Sequence, residues 1–512
     1  MTVPYLLGID VGSYSTKGVL TTPTGEVLHQ HVVEHKMEFP KPGWVEQDAD
    51  GVWWADVVAV CRAIVDAGFD TARIGAVAVS AIGPCMLPVD EQGRPLRAGV
   101  LYGIDTRAQE EVTWLNNHFG EEAMMELAGM ALTSQAIGPK ILWLKRNEPE
   151  IYARAHKILT ASGYLIYKLT GEYVIDKHTG SHYNPLVNMS DISWDGRFAE
   201  PIIDLEKLPK LLWSTEIAGH ITEAAARETG LAAGTPVTAG TVDAAAEAVS
   251  VGAVNVGDLM VMYGTTVFFT LVTDHETPDV RFWSTGFVFP ESRDLCGGLS
   301  TTGALTRWFR DQLGQPELAA EAAGGPNAYA ALAEMAADIP GGSEGLLCLP
   351  FFAGERTPIH DPNARGVFAG LTLSHTRAHM YRSVLESTGY GVRHNVETMR
   401  EIGAGPQRIV AVGGGAQNLT WLQIVSDIAQ VPQVVPQQTI GASYGDAFLA
   451  GLATGIIPDI SKLFQDWVQV KTIVEPNPDH RVYDEMYGVY RSLYEHAKTD
   501  LHTLARLGMD SH

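Results

Sequence analysis

Leu6-Leu7-Gly8-Ile9-Asp10-Val11-Gly12-Ser13-Tyr14-Ser15-Thr16-Lys17-Gly18-Val19-Leu20 is the stretch whose reading decides the fold. It passes from an apolar strand (5–11) through an Asp-x-Gly turn rich in hydroxyls into a second apolar strand (17–21). An Asp that closes a strand can hold a metal-bound water, and glycine lets backbone N–H groups approach a phosphate. Ser13, Ser15, Thr16 and Lys17 add short donors and one cation at the tip. Read alone, the segment fits a phosphate-binding hairpin and an ordinary hairpin with a Gly/Ser turn equally well.

Composition narrows the setting. A chain of 512 residues, 46% hydrophobic and 19% charged, with mean hydropathy of +0.01, has ample material for two or three globular domains. Thirty-six Lys+Arg against 60 Asp+Glu leave a net charge of −24. That charge argues against nucleic-acid and anionic-membrane partners, whose phosphates would be repelled. ATP is not excluded, because backbone amides and Mg²⁺ handle its phosphates locally. Cys61, Cys85, Cys296 and Cys348 have no CxxC spacing, so neither a zinc site nor a disulfide framework is expected and a reducing cytoplasm is. Met1-Thr2-Val3-Pro4-Tyr5 leads straight into the first strand, and no run approaches the ~20 apolar residues of a membrane span. A cytoplasmic protein is the expectation.

Farther along, strands and helices alternate. Glu26–Glu34 reads as a strand, and a helix over about 51–67 opens behind Asp48 or Asp50 as N-cap. Ile74–Ser80 has the unbroken apolar run of a buried parallel strand. Residues 108–170 read as largely helical, with one helix beginning around Pro139, and 171–240 as more irregular. An Ala-rich helix is expected over 243–251. A second hairpin, Asp258–Thr270, repeats the opening logic: apolar strand, Gly264-Thr265-Thr266, apolar strand. A third glycine cluster, Gly413-Gly414-Gly415, follows the apolar run Ile409–Val412 and precedes Asn418 and a helix from Leu419. Such glycines let backbone lie flat against a ligand at a helix N-terminus; alone they fit a tight structural turn as well. Neither GxGxxG nor GxxxxGK[ST] occurs, so dinucleotide-fold and P-loop readings lack support. No metal-ligand spacing is visible among the histidines.

The ordered set Asp10-x-Gly12, Gly264-Thr265-Thr266 and Gly413-Gly414-Gly415 resembles the phosphate-1, phosphate-2 and adenosine motifs of the actin-like ATPases. Within them the chain is similar, over nearly its full length, to the FGGY carbohydrate kinases, nearest to the xylulose kinases. The shared segments include Gly43-Trp44-Val45-Glu46-Gln47-Asp48, Asp105-x-Arg107, Pro139-Lys140-Ile141-Leu142-Trp143, Phe351–Pro358 and Gly366–Leu371. The resemblance implies an α/β fold of two ribonuclease H-like domains flanking a catalytic cleft, divided as 1–248 (sugar side) and 249–512 (nucleotide side). It implies ATP and Mg²⁺ as cofactors, with Asp10 near the metal through water. Gly12, Ser13, Ser15, Thr16, Lys17, Gly264, Thr265, Thr266, Gly414, Gly415 and Asn418 would hold the nucleotide. Asn418 also suits an N-cap. Asp243, in Ala239-Gly240-Thr241-Val242-Asp243, matches the catalytic base; it too suits a helix cap. Dimers are common in the family, so a homodimer is a further expectation.

The sugar site is expected from Ile82, Gly83, Tyr102, Asp105, Gln135, Asp243 and Phe268, and here the chain departs from its relatives. Xylulose kinases carry Gln-Met-His-Gly where this chain has Ala81-Ile82-Gly83-Pro84, so a polar histidine is missing. The family Trp-x-Asp-x-Arg becomes Tyr102-Gly103-Ile104-Asp105-Thr106-Arg107. A pocket that loses a polar contact rejects its former substrate. The acceptor is thus a pentulose or, with specificity moved, another polyol, a hexulose or a sugar acid. A non-catalytic sugar-binding regulator is the alternative of another class.

Overall fold

Strands buried on both faces need continuous apolar sequence, and Tyr5–Val11 (β1) supplies it. The computed structural model describes residues 3–509. In it β1 pairs antiparallel with Ser15–Thr21 (β2), which pairs antiparallel with Val27–Glu34 (β3). On its other side β1 runs parallel to Ile74–Ala81 (β4). Ile217–His220 (β5) and Pro236–Thr238 (β6) complete the order β5-β6-β4-β1-β2-β3, and the short strand Thr241–Val242 (β7) also lies parallel to β4. The register aligns Asp10 with Ser80 and Ser80 with Thr241, so β1, β4 and β7 present their carboxyl ends side by side. That end of a parallel sheet is where α/β proteins place ligands.

Helices cover this sheet. Ala55–Asp66 (α1) is entered through a wide turn, 49–54, whose amides at Asp50 and Gly51 donate to Asp48 Oδ1 at 3.0 Å each. Asp243–Ser250 (α2) follows β7 directly. The helix Ala442–Ala453, labelled α7 below in chain order, comes from far along the sequence yet packs on both β1 and α2. Two glycines permit this. A Cβ on Gly8 would lie 2.5 Å from the amide of Ala447, and one on Gly445 would lie 2.9 Å from the carbonyl carbon of Ala246.

By their packing, two compact units divide the chain. The first comprises Met1–Val254, Val272–Asp294 and Gln438–Gln469; the second comprises Asn255–Leu271, Leu295–Gln437 and Val470–His512. Residues 438–469 thus belong with the N-terminal sequence, because backbone-to-backbone packing at Gly8 and Gly445 holds α7 there.

In the second unit Asp258–Tyr263 (β8) pairs antiparallel with Val267–Thr273 (β9) and parallel with Arg408–Val412 (β10). Gln433–Pro436 (β11) and Val470–Val474 (β12) continue that sheet. The hairpin-plus-parallel-strand arrangement of β1, β2 and β4 is thereby repeated. Its helices include Gly303–Leu313 (α3), Ala328–Ala337 (α4), Arg377–Glu401 (α5), Leu419–Ala429 (α6) and Arg481–Met509 (α8). The stretch 108–170 is five helices with a strand at Lys157–Leu159, and the helix expected at Pro139 begins at Ile137. Among the described residues no helix is long and apolar enough to cross a membrane.

Candidate active site

Alternation along β2 sorts the residues of the opening hairpin, because successive side chains point to opposite faces. Lys17 pairs with Asp10 and Thr16 with Val11. Asp10 and Lys17 therefore share the face that α7 covers. Lys17 Nζ donates to the carbonyl of Ile440 at 2.9 Å. Thr16 points the other way: fully buried, it donates to Asp56 Oδ2 of α1 at 3.0 Å, an oxygen also bonded by His35 Nδ1 at 2.7 Å. It is a structural hydroxyl, which corrects the expectation that it binds phosphate. The Gly12 amide closes the hairpin by donating to the carbonyl of Ser15 at 2.9 Å, so that N–H is also committed. Ser13 Oγ lies 3.2 Å from the hydroxyl of Tyr102.

Four carboxyl groups gather at the carboxyl ends of the parallel strands. Asp10 ends β1 and Asp243 opens α2 straight after β7, its Oδ1 accepting from the Ala244 amide at 2.7 Å. Glu247 sits one helical turn on, so it shares the face of Asp243. Asp446 enters from α7. Its Oδ2 accepts from Ser80 Oγ at 2.6 Å and from the Ser80 amide at 3.2 Å, while Ser80 Oγ is also 3.3 Å from Asp10 Oδ1. The other oxygen of Asp446, Oδ1, is buried with no partner. Burial pushes all four groups up, because removing a charge from water favours the neutral acid. Asp243 rises to about 6 and Glu247 to about 7. Asp10 rises well above the usual range, first through burial and then through Asp243 and Glu247, against the pull of Ser80 and Lys17. Asp446 rises through burial and the nearby Asp10.

The residues expected to face the sugar divide into two groups. Gly83 and Tyr102 oppose each other: a Cβ on Gly83 would lie 3.4 Å from Tyr102 Cβ. Gln135 Oε1 accepts from the Gly103 amide at 3.0 Å, and buried Lys140 donates to the carbonyls of Leu101 and Tyr102 at 2.7 and 2.9 Å. Those bonds pin the loop that carries Tyr102. Ile82 is 2% exposed and belongs to the core, its amide donating to Val11 O at 2.8 Å. Asp105, fully buried, accepts from the Val45 amide at 2.6 Å and from Arg107 Nη2 at 2.7 Å. Neither has a group left for a ligand, so both expectations are corrected: Ile82 fills apolar space and Asp105 neutralises Arg107. Phe268 lies on β9 opposite Met262, in the second unit.

That unit holds a cavity of about 950 Å³. The turn Gly264-Thr265-Thr266 borders it, fastened to the start of α3: the amides of Gly303 and Ala304 donate to the carbonyls of Gly264 and Thr265 at 3.0 and 2.9 Å. The hydroxyls of Thr265 and Thr266 are left exposed. Gly414 and Gly415 line the opposite part of the cavity. A Cβ on Gly415 would meet Trp421 and Tyr263 at 2.8 Å, whereas one on Gly414 would have nothing within 4 Å, so bare backbone faces the space. Asn418 Oδ1 caps α6 by accepting from Trp421 N at 3.1 Å, and the residue also lines the cavity. Tyr329, Ala330 and Ala333 of α4 supply an apolar wall that sequence reading missed.

Among the described residues no cluster of three or more His, Cys, Asp or Glu can hold a metal. The carboxyl oxygens of Asp10 are of the kind that Mg²⁺ takes. Ser80, Glu247 and Asp446 escaped the sequence reading. The signals were a charged residue in the otherwise apolar run of α7, and the four-residue step from Asp243 to Glu247.

Comparison with known proteins agrees with this geometry. The sequence profile of the "FGGY family of carbohydrate kinases, N-terminal domain" matches residues 5–250, and its C-terminal counterpart matches 259–454. Gluconokinase of Bacillus subtilis (strain 168) is 28% identical over 456 residues, 88% of each chain. Xylulose kinase of Staphylococcus xylosus is 24% identical over 497 residues, 96% of this chain and all of that protein. The crystal structure of xylulose kinase from Rhodospirillum rubrum superposes with a TM-score of 0.90 at 28% identity, covering 97% of this chain and 100% of that one. The chain belongs to the FGGY family of carbohydrate kinases.

Proposed function

We propose that the protein transfers the γ-phosphoryl group of ATP to a hydroxyl of a small sugar or polyol, a pentulose being the first candidate. The observation that carries this is Asp243, half-buried at the carboxyl ends of three parallel strands, with desolvation pushing its carboxyl up to about 6. A carboxylate so tuned is a better base near neutrality than an ordinary Asp at ~3.9. It orients the acceptor hydroxyl and takes its proton as the new O–P bond forms and the β–γ bridge breaks. In a loose transition state that proton moves late, so a modest base suffices. The second unit supports ATP as donor through the Thr265 hydroxyl and the bare backbone at Gly414. Mg²⁺, when bound with the nucleotide, supplies charge neutralisation at the phosphates, and Asp10 is the residue to hold it through water. Four buried unpaired cysteines support a reducing, cytoplasmic setting.

A second reading, the same chemistry on another polyol, a hexulose or a sugar acid, is favoured by the segment Ala81-Ile82-Gly83-Pro84, which has no polar side chain. ADP release from Mg-ATP, measured with D-xylulose, D-ribulose, D-fructose, erythritol, xylitol and D-gluconate beside Asp243→Asn, tests both. No stimulation by any acceptor sinks the kinase reading; full turnover in the variant sinks the base assignment.

A further inference from the structure

One imidazole in the first unit is held as a recognition group without a partner to recognise. His178 lies in the turn Lys177–Gly180, which Asp176 caps by accepting from the Thr179 amide and hydroxyl at 2.9 and 2.6 Å. The same Asp176 accepts from Thr241 Oγ1 at 3.2 Å, two residues before Asp243. The turn is thereby tied to the strand that ends in the base. Electrostatics agree, since His178 is among the groups that act on the Asp243 carboxyl.

On one side the ring is anchored. Its Nδ1 is 3.6 Å from Asp294 Oδ2 and 3.5 Å from Thr285 Oγ1, and the Thr285 hydroxyl donates in turn to Asp294. Asp294 and Thr285 are fully buried. Such a second-layer carboxylate fixes ring orientation and leaves the opposite nitrogen for work. That nitrogen, Nε2, has no hydrogen-bond partner among the described residues. One turn on, the His182 ring stands 6.0 Å from that of His178, and its Nδ1 is buried with no partner. Burial holds His182 neutral, down at about 3. His182 Nδ1, buried and without a partner, beside the unpartnered Nε2 of His178 marks a place where a polar ligand belongs.

We infer that His178 is a specificity-determining residue, its Nε2 bonding a hydroxyl of the acceptor beside Asp243, and that the acceptor is an uncharged polyol or ketose rather than a sugar acid. This rests on the kinase reading above. The polar contact that the segment Ala81-Ile82-Gly83-Pro84 lacks is supplied from another loop. The nearby polar groups are mostly engaged: the Tyr102 hydroxyl bonds Ser13, Gln135 Oε1 holds the Gly103 amide, and Lys140 donates to two carbonyls. The same distribution disfavours an anionic acceptor. Asp176, Asp243 and Asp294 surround His178, while Lys140, its ammonium lowered to about 8 by burial, points at backbone oxygens.

The test uses the full chain and the acceptor panel named above. For whichever acceptor stimulates ADP release, His178→Ala should raise its KM about 10- to 100-fold. KM for Mg-ATP should stay at the wild-type value. If His178→Ala unfolds, His178→Asn, which keeps a short polar group, is read in the same way. An unchanged acceptor KM, or KM for Mg-ATP rising equally, overturns the assignment. D-gluconate as the preferred acceptor overturns the uncharged class. Silence across the whole panel for the wild type overturns the kinase reading and this inference with it, a result distinct from either of the others.

Discussion

Replacing Gly445 by Ala sets two magnitudes of opposite sign against each other. Gly445 lies inside α7, where Ala is intrinsically better than Gly by about 1 kcal/mol. Its new Cβ would lie 2.9 Å from the carbonyl carbon and nearer still to the carbonyl oxygen of Ala246, and 3.0 Å from the amide of Ser250. Carbon atoms rest at about 3.5–4.0 Å from each other, so α7 and α2 must part by more than half an ångström. The atoms in the way are backbone and cannot swing aside. Overpacking costs about 1–3 kcal/mol where side chains can yield, so this site belongs at the upper end. The net expectation is a loss of about 2 kcal/mol, or a fall of roughly 4–8 °C in the first unit's melting transition. The matched control is Gly488→Ala in α8, where a Cβ meets nothing within 4 Å. There only the helix-propensity gain of up to about 1 kcal/mol remains, and the melting temperature should rise. Differential scanning calorimetry of the two variants beside wild type decides. If Gly445→Ala melts at or above wild type, the argument from backbone contact is wrong. Because α2 and α7 carry Asp243 and Asp446, kcat of the Gly445→Ala protein should also fall below its folded fraction.

Asp243→Asn should lower kcat by about 10²- to 10⁴-fold with KM for Mg-ATP nearly unchanged, as read by coupled ADP release. As the proposed base Asp243 must be ionised, and burial raises it to about 6, so kcat/KM should fall as pH drops through that region; an acidic limb at the ordinary ~4 would refute the assignment. Glu247 and Glu355, each raised to about 7 by burial, keep protons in the folded chain that the unfolded chain, at ~4.3, has released. Their stability contribution is fully present below the unfolded value and is lost as pH rises through the folded one. The apo protein should therefore melt higher at about pH 6.5 than at about pH 8, and the opposite slope by thermal denaturation refutes it. Gly414→Val should weaken ADP binding by calorimetry while leaving the melting midpoint alone, because its side chain enters open cavity; unchanged affinity places the nucleotide elsewhere.

Much of this was legible in one dimension. The apolar runs at 5–11, 74–80 and 409–412 are strands within a residue or so, and both hairpins stand where the Asp-x-Gly and Gly-Thr-Thr turns put them. Periodicity and turn chemistry are local, so they survive without the fold. Which face a residue occupies was also readable in principle: the one-residue step from Lys17 to Thr16 sends one towards Asp10 and the other into α1. The Ile82 and Asp105 expectations failed for a different reason. Proximity to a site in sequence says nothing of whether a carboxylate is already spent on Arg107, or a side chain on the core.

The sequence alone determined that this chain builds two hairpin-and-parallel-strand units with phosphate-type turns, because those signals lie in contiguous residues. Tertiary structure alone decided that residues 438–469 return to the first unit, that Asp446 reaches Ser80 across 366 positions, and that the turn of His178 is tied to the strand before Asp243. Close packing brings such groups together, and the contacts at Gly8 and Gly445 that permit it join segments hundreds of residues apart. No local pattern records them.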